Sequence, residues 1–263
     1  MTPMPDDAIL VTRDGYIATV TLNRPAKLNA LTKAMWRGLG EAIRGLSGES
    51  DLRCIVIRGA GERAFSPGND IGEFAHERSN RQQAREYGAA MHATAQALDA
   101  CPVPLVAQIH GICVGGGLEI AAICDLRICG VSSRFGAPVK NLGLVMAYAE
   151  MAPLVRLVGP AVALEILLEG RIFDAREAKE KGLVSRVVAD EQVSAEAAAT
   201  AARIADGAPL SARWHKKFVR RLDDPARISE SEADESFDCF DTEDFRAGYE
   251  AFLAKRKPTF TGR

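Results

Sequence analysis

Three short runs of apolar residues, at 54–57, 105–109 and 126–129, constrain the fold of this chain more than any other feature. Cys54-Ile55-Val56-Ile57 is bounded by Gly59 and Gly61, and the breaker pair Pro102 and Pro104 introduces the second run. Both read as strands buried in a sheet. Between the second and third runs lie Gly115-Gly116-Gly117 and then residues 118–123, enough for two helical turns. Segments 9–12 and 16–22 are rich in β-branched residues and join around Asp14-Gly15, which predicts a hairpin ended by Asn23-Arg24-Pro25. Thr32 is placed to cap a helix in which Met35, Trp36, Leu39, Ala42, Ile43 and Leu46 recur at helical spacing, with Gly48 just past its end. Strand and helix thus alternate through the first two-thirds, as in a layered α/β fold. From about Gln192 the pattern becomes helical without strands, over 194–204, 211–222, 230–240 and 241–254.

A chain of 263 residues forms one large domain or a domain with a smaller appendage. Its 47% hydrophobic and 26% charged residues are ordinary for a soluble globular protein, and a net charge of -2 lacks the basic excess of a nucleic-acid binder. The run Lys255-Arg256-Lys257 is short and reads as a solvated helix end. The six cysteines show no Cys-x-x-Cys spacing and the four histidines no ligand spacing, so buried free thiols in a reducing compartment, and no metal, are expected. Met1-Thr2-Pro3-Met4-Pro5-Asp6-Asp7 lacks the basic-then-apolar order of a signal peptide, and no window reads as a membrane span. A cytoplasmic protein is expected.

Four segments, in order along nearly the whole chain, carry a family likeness. They are Asn23-Arg24-Pro25-Ala26-Lys27-Leu28-Asn29-Ala30-Leu31; Ala64-Phe65-Ser66-Pro67-Gly68-Asn69-Asp70-Ile71; His110-Gly111-Ile112-Cys113-Val114-Gly115-Gly116-Gly117-Leu118-Glu119-Ile120 with Cys124-Asp125; and Phe135-Gly136-Ala137-Pro138 with Asn141-Leu142-Gly143-Leu144. Ala178 and Gly182-Leu183-Val184 follow. Together they resemble the enoyl-CoA hydratase/isomerase (crotonase) family. The resemblance implies an α/β fold, a ClpP/crotonase-like spiral of ββα units over 1–200, and a helical region over 201–263 that serves trimerisation and covers coenzyme A. It also implies a homotrimer or homohexamer acting on an acyl-CoA, with coenzyme A as part of the substrate and no separate cofactor.

Reactions of this kind pass through a thioester enolate or tetrahedral oxyanion that fixed N–H donors stabilise. By resemblance the donors are the backbone N–H groups of Asn69 and Gly116. Glu119, on the first turn of the following helix, falls on the family's first acid/base position. Ser66, Gly68, Asp70 and Ile71 belong to the same loop as Asn69. The departure is at Val139, where a hydratase carries its second carboxylate. Ala147 likewise stands where a dienoyl isomerase would have an acid. Three ways out remain open: Glu119 working alone with water, substitution by Tyr148 or Glu150, or different chemistry such as decarboxylation or thioester hydrolysis, in which Lys140 could bind a substrate carboxylate. A non-catalytic acyl-CoA-binding protein is the alternative of another class. For coenzyme A, Arg24, Lys27 and Ala30 of the first loop match positions near the ligand in relatives, and Phe237 and Lys255 resemble C-terminal residues that close over the nucleotide. Val139, Leu144, Val145, Met146 and Ala147 favour an apolar acyl group.

Overall fold

The computed structural model describes residues 8–263. The segment 1–7, in which no leader was read, lies outside the described residues. The predicted hairpin is formed by β1 (Ile9–Asp14) and β2 (Ile17–Leu22), antiparallel with Asp14 opposite Ile17. Thr32 caps α1 (Lys33–Ser47) by accepting from the Met35 N–H, and Met35, Trp36, Leu39 and Ile43 form its buried face. Then come β3 (Cys54–Gly59), β4 (Ala64–Ser66), α2 (Phe74–Glu77), α3 (Arg81–Ala100), β5 (Leu105–Ile109), β6 (Ile112–Val114), α4 (Gly116–Ile123), β7 (Leu126–Gly130) and β8 (Arg134–Gly136). The remainder comprises α5 (Tyr148–Glu169), β9 (Phe173–Asp174), α6 (Ala175–Glu180), β10 (Arg186–Val188), α7 (Val193–Ala205), α8 (Pro209–Arg221), α9 (Glu230–Asp234) and α10 (Glu243–Leu253). Residues 235–241, expected to continue one helix, instead tighten into a 3-10 turn.

The strands form a six-stranded sheet in the order β1-β2-β3-β5-β7-β10 and a four-stranded sheet in the order β4-β6-β8-β9. In the larger sheet every pairing beyond β1–β2 is parallel, as the unalternating apolar runs require. Side chains of β3 divide by parity. Ile55 and Ile57 enter the main core with Leu39, Leu105 and Leu118, whereas Cys54 and Val56 face Ala197 and Ala201 of α7. Helix α7 crosses residue 200 while packed on β3, β5 and β7.

One sequence expectation needs correction. Helix α5 is long and apolar enough, by length and composition, to cross a membrane. It is nevertheless broken at Gly159, whose φ of 75° and ψ of 164° are not helical, with Pro160 next in the chain. A span needs about 20 residues of continuous helix, and each half is about half that length. Pro153, Leu154, Ala163 and Ile166 bury one side of α5 in the core.

Candidate active site

Two loops and one helix start build the site. Ser66 ends β4 buried, its Oγ donating to the Asn29 carbonyl at 2.9 Å and accepting from the Gly68 N–H at 3.1 Å. Gly68 has φ 98°, and a methyl group built there would lie 2.8 Å from the Gly116 nitrogen, so only glycine lets the two loops meet. The extended segment after it pairs with Leu31: the Leu31 N–H donates to Gly68 O and the Asp70 N–H to Leu31 O, both at 2.8 Å. Because successive peptide groups alternate sides, the intervening Asn69 N–H faces away from Leu31. Gly116 opens α4, so its N–H has no acceptor within the helix. Two amides on adjoining segments are thus left for an external oxygen, with the positive end of a helix behind one of them.

The Asn69 side chain is pinned as well. Its Oδ1 accepts from Trp36 Nε1 at 2.7 Å, and its Nδ2 lies 3.6 Å from Met91 Sδ. Trp36 was legible only as one more apolar position on α1, since periodicity registers the ring and not the indole N–H.

These elements enclose a cavity of about 400 Å³ lined by Ala30, Gly68, Asn69, Asp70, Ile71, Gly116, Glu119, Val139, Leu144 and Glu150 among the residues singled out in the sequence. Phe74, Arg78, Met91, Leu142, Val145 and Met146 complete much of the wall. Glu119 is 8% exposed. Burial raises its carboxyl well above the ordinary carboxylate value, and the negative charge of Glu150 raises it further against a smaller opposing effect of Arg78. Glu150 Oε2 accepts from the Ala147 N–H at 2.9 Å, and its Oε1 lies 3.2 Å from His92 Nε2. Besides Asp70, the cavity therefore contains two carboxyl groups, Glu119 raised by its surroundings and Glu150 oriented by two neighbours, although position 139 is apolar.

Other candidates sit elsewhere. Tyr148 is 93% exposed at the start of α5 and does not line the cavity. Ser66 lies behind the lining and positions the loop. Arg24 donates to Asp70 Oδ2 at 3.0 Å and to the Ala30 carbonyl at 2.7 Å, so in this structure it ties the first two loops together. Lys27, Phe237 and Lys255 are exposed, away from the lining within a single chain. Phe74, Arg78, Met91 and His92 come from a stretch without a motif. The spacing of Tyr87, Met91, Thr94 and Leu98 behind Asn80 is the signal for its long helix, with Asn80 Oδ1 accepting from the Gln83 N–H.

A larger groove, about 1090 Å³, lies between 99–102 and helices α8 and α9. Its carboxylates are engaged: Asp99 pairs with Arg156, Glu232 with Arg221 and Glu235 with Lys217. It includes neither oxyanion donor nor Glu119. Among the described residues, no group of three or more His, Cys, Asp or Glu is gathered as a metal would need.

The sequence profile of the family described as Enoyl-CoA hydratase/isomerase matches residues 12–263. A probable enoyl-CoA hydratase of Mycobacterium tuberculosis is 36% identical over 260 residues, covering 98% of this chain and 99% of that protein. The short-chain-enoyl-CoA hydratase of Clostridium acetobutylicum is 33% identical over 253 residues, 95% of each chain. A crystal structure described as an enoyl-CoA hydratase/carnithine racemase from Magnetospirillum magneticum superposes with a TM-score of 0.96 at 52% identity, covering 98% of this chain and 97% of that one.

Proposed function

We propose, from the premise that this chain belongs to the enoyl-CoA hydratase/isomerase family, that it hydrates or isomerises an unsaturated acyl-CoA with Glu119 and Glu150 as its proton-transferring pair. Family membership makes it an acyl-CoA enzyme of the crotonase fold. The finer assignment rests on one observation: the amides of Asn69 and Gly116 and the carboxyls of Glu119 and Glu150 line one cavity.

In hydration, a water oxygen adds to C3 of the enoyl group as Glu150 takes the water proton. The C2–C3 π pair moves towards the thioester oxygen, which the two amides hold as an enolate. Glu119, whose raised carboxyl favours the protonated form, delivers a proton to C2, and the carbonyl re-forms. The sum is one water across one double bond, after which a proton passes from Glu150 back to Glu119. Isomerisation of a 3-enoyl thioester uses the same two amides to hold a dienolate, with a proton removed from C2 and returned to C4. Val139 contributes only an apolar surface to the same lining, so Glu150 supplies what the usual second position lacks.

Coenzyme A enters as part of the substrate, with Arg24 and Lys27 near the first loop as its candidate contacts. A homotrimer or homohexamer would bring Phe237 and Lys255 of region 201–263 to a neighbouring site. The exposure of Phe237, Phe240, Phe245 and Phe252 in the single chain supports that assembly. Six unpaired thiols support a cytoplasmic setting.

Crotonyl-CoA and a 3-enoyl-CoA, with products identified by mass and chromatography, test the assignment. Wild-type protein should turn over one or both, and Glu119→Gln should lower kcat by about 10²- to 10⁴-fold. Undiminished turnover by Glu119→Gln, or acyl-CoA binding without any turnover by wild type, would contradict it.

A further inference from the structure

Four charged side chains line the cavity, and three have their charge accounted for. Asp70 is paired with Arg24 at 3.0 Å. Glu150 is held by the Ala147 amide and His92. Glu119 has its carboxyl pushed up by burial and by the charge of Glu150, which favours its neutral form. The fourth, Arg78, follows α2 and is the one cation among the lining residues. Its guanidinium carbon lies 4.8 Å from the Phe74 ring centroid and 4.9 Å from that of Tyr87. The rings hold the group through their faces and use none of its five N–H donors. Among the described residues, no side-chain carboxylate or carbonyl accepts from it.

We infer that Arg78 binds a carboxylate carried by the substrate's own acyl chain, making the preferred substrate a coenzyme A monothioester of an unsaturated dicarboxylic acid. This rests on the cavity being the acyl site proposed above. A half-buried guanidinium is costly to desolvate without an acceptor, so a neutral acyl group that fills the cavity leaves it unsatisfied. A carboxylate takes two parallel N–H bonds from it. Arg78 is not simply the counter-ion of Glu119, because among the described residues the two form no ion pair. Arg78 lines the same cavity as Glu119, Asn69 and Gly116, so an anion bound to it shares that cavity with the reacting carbons.

The test compares glutaconyl-CoA with its neutral methyl ester, which share the double bond and chain length, and repeats both as pantetheine thioesters, which lack the nucleotide and its phosphates. Wild-type protein should prefer the free acid at least tenfold in kcat/KM, in both series. Arg78→Met should lose about 10- to 100-fold on the acid and leave the ester unchanged or improved. Equal losses on acid and ester would make Arg78 a support for Glu119 or the fold and overturn the inference. An Arg78→Met effect present with coenzyme A and absent with pantetheine would make it a phosphate contact and overturn it too. Should wild type turn over neither compound, the proton-transfer assignment fails by itself. Calorimetric affinity for the two thioesters then decides Arg78: a tenfold preference for the acid that Arg78→Met removes upholds it, and equal affinities overturn it.

Discussion

Burial, and then the charge of Glu150, push the Glu119 carboxyl well above the ordinary carboxylate value, and the fold is less stable for it above that value. Below the ordinary carboxylate value of 4.5 the side chain is protonated both folded and unfolded, and contributes nothing. Above it the unfolded chain sheds a proton that the native state retains, so stability falls as pH rises towards the raised native value. Glu119→Gln removes this linkage. It should melt at a higher temperature than wild type at about pH 7 to 8, with the gap closing towards about pH 4.5, in thermal scans across that range. A gap independent of pH would contradict the assignment. At the same scale, Gly68, Gly116 and Glu119 were legible because their chemistry is written in residue type and spacing. Glu150 was legible only as one of several substitutes, since its place in the cavity depends on how α5 leaves the turn at 138–142. Arg78 and His92 were not legible, because no motif surrounds them.

Among elements, the buried parallel strands were the easiest to read: burial on both faces makes them continuous apolar runs. The smaller sheet was not read. Its strands, such as Ile112–Val114 and Phe173–Asp174, are too short to show a period. The apolar length of α5 was not read either: by length and composition it could form one span, but Gly159 divides it into two packed segments. The Cys124-Asp125 pair, a family mark in the sequence, has a structural task. Asp125 Oδ2 accepts from the Leu105 N–H and from Lys216 Nζ of α8, each at 2.7 Å, and Lys216 is 7% exposed in its side chain. This joins the helical C-terminal region to the start of β5. Asp125→Ala leaves the Lys216 ammonium nearly buried without its carboxylate and should cost about 2 kcal/mol, seen as a melting temperature several degrees lower. An unchanged melting temperature would mean that Lys216 is satisfied by the Val103 carbonyl, 2.8 Å away, alone.

At the scale of the whole molecule, the site lies where the first loop, the turn after β4 and the start of α4 converge, while α3 and α5 contribute the far wall. Chain segments distant in sequence meet there, so the amide pair was predictable from local motifs and the second carboxylate was not. The proposed chemistry depends on Glu150, from α5, taking the part of an acid at position 139. The most direct measurement is kcat on the best thioester for wild type, Glu150→Gln, and Glu150→Gln combined with Val139→Glu. A fall of at least about 100-fold in the single variant, with partial recovery when a carboxylate is restored at position 139, is the predicted result. Wild-type turnover by Glu150→Gln would contradict the two-carboxylate site and leave Glu119 to act alone.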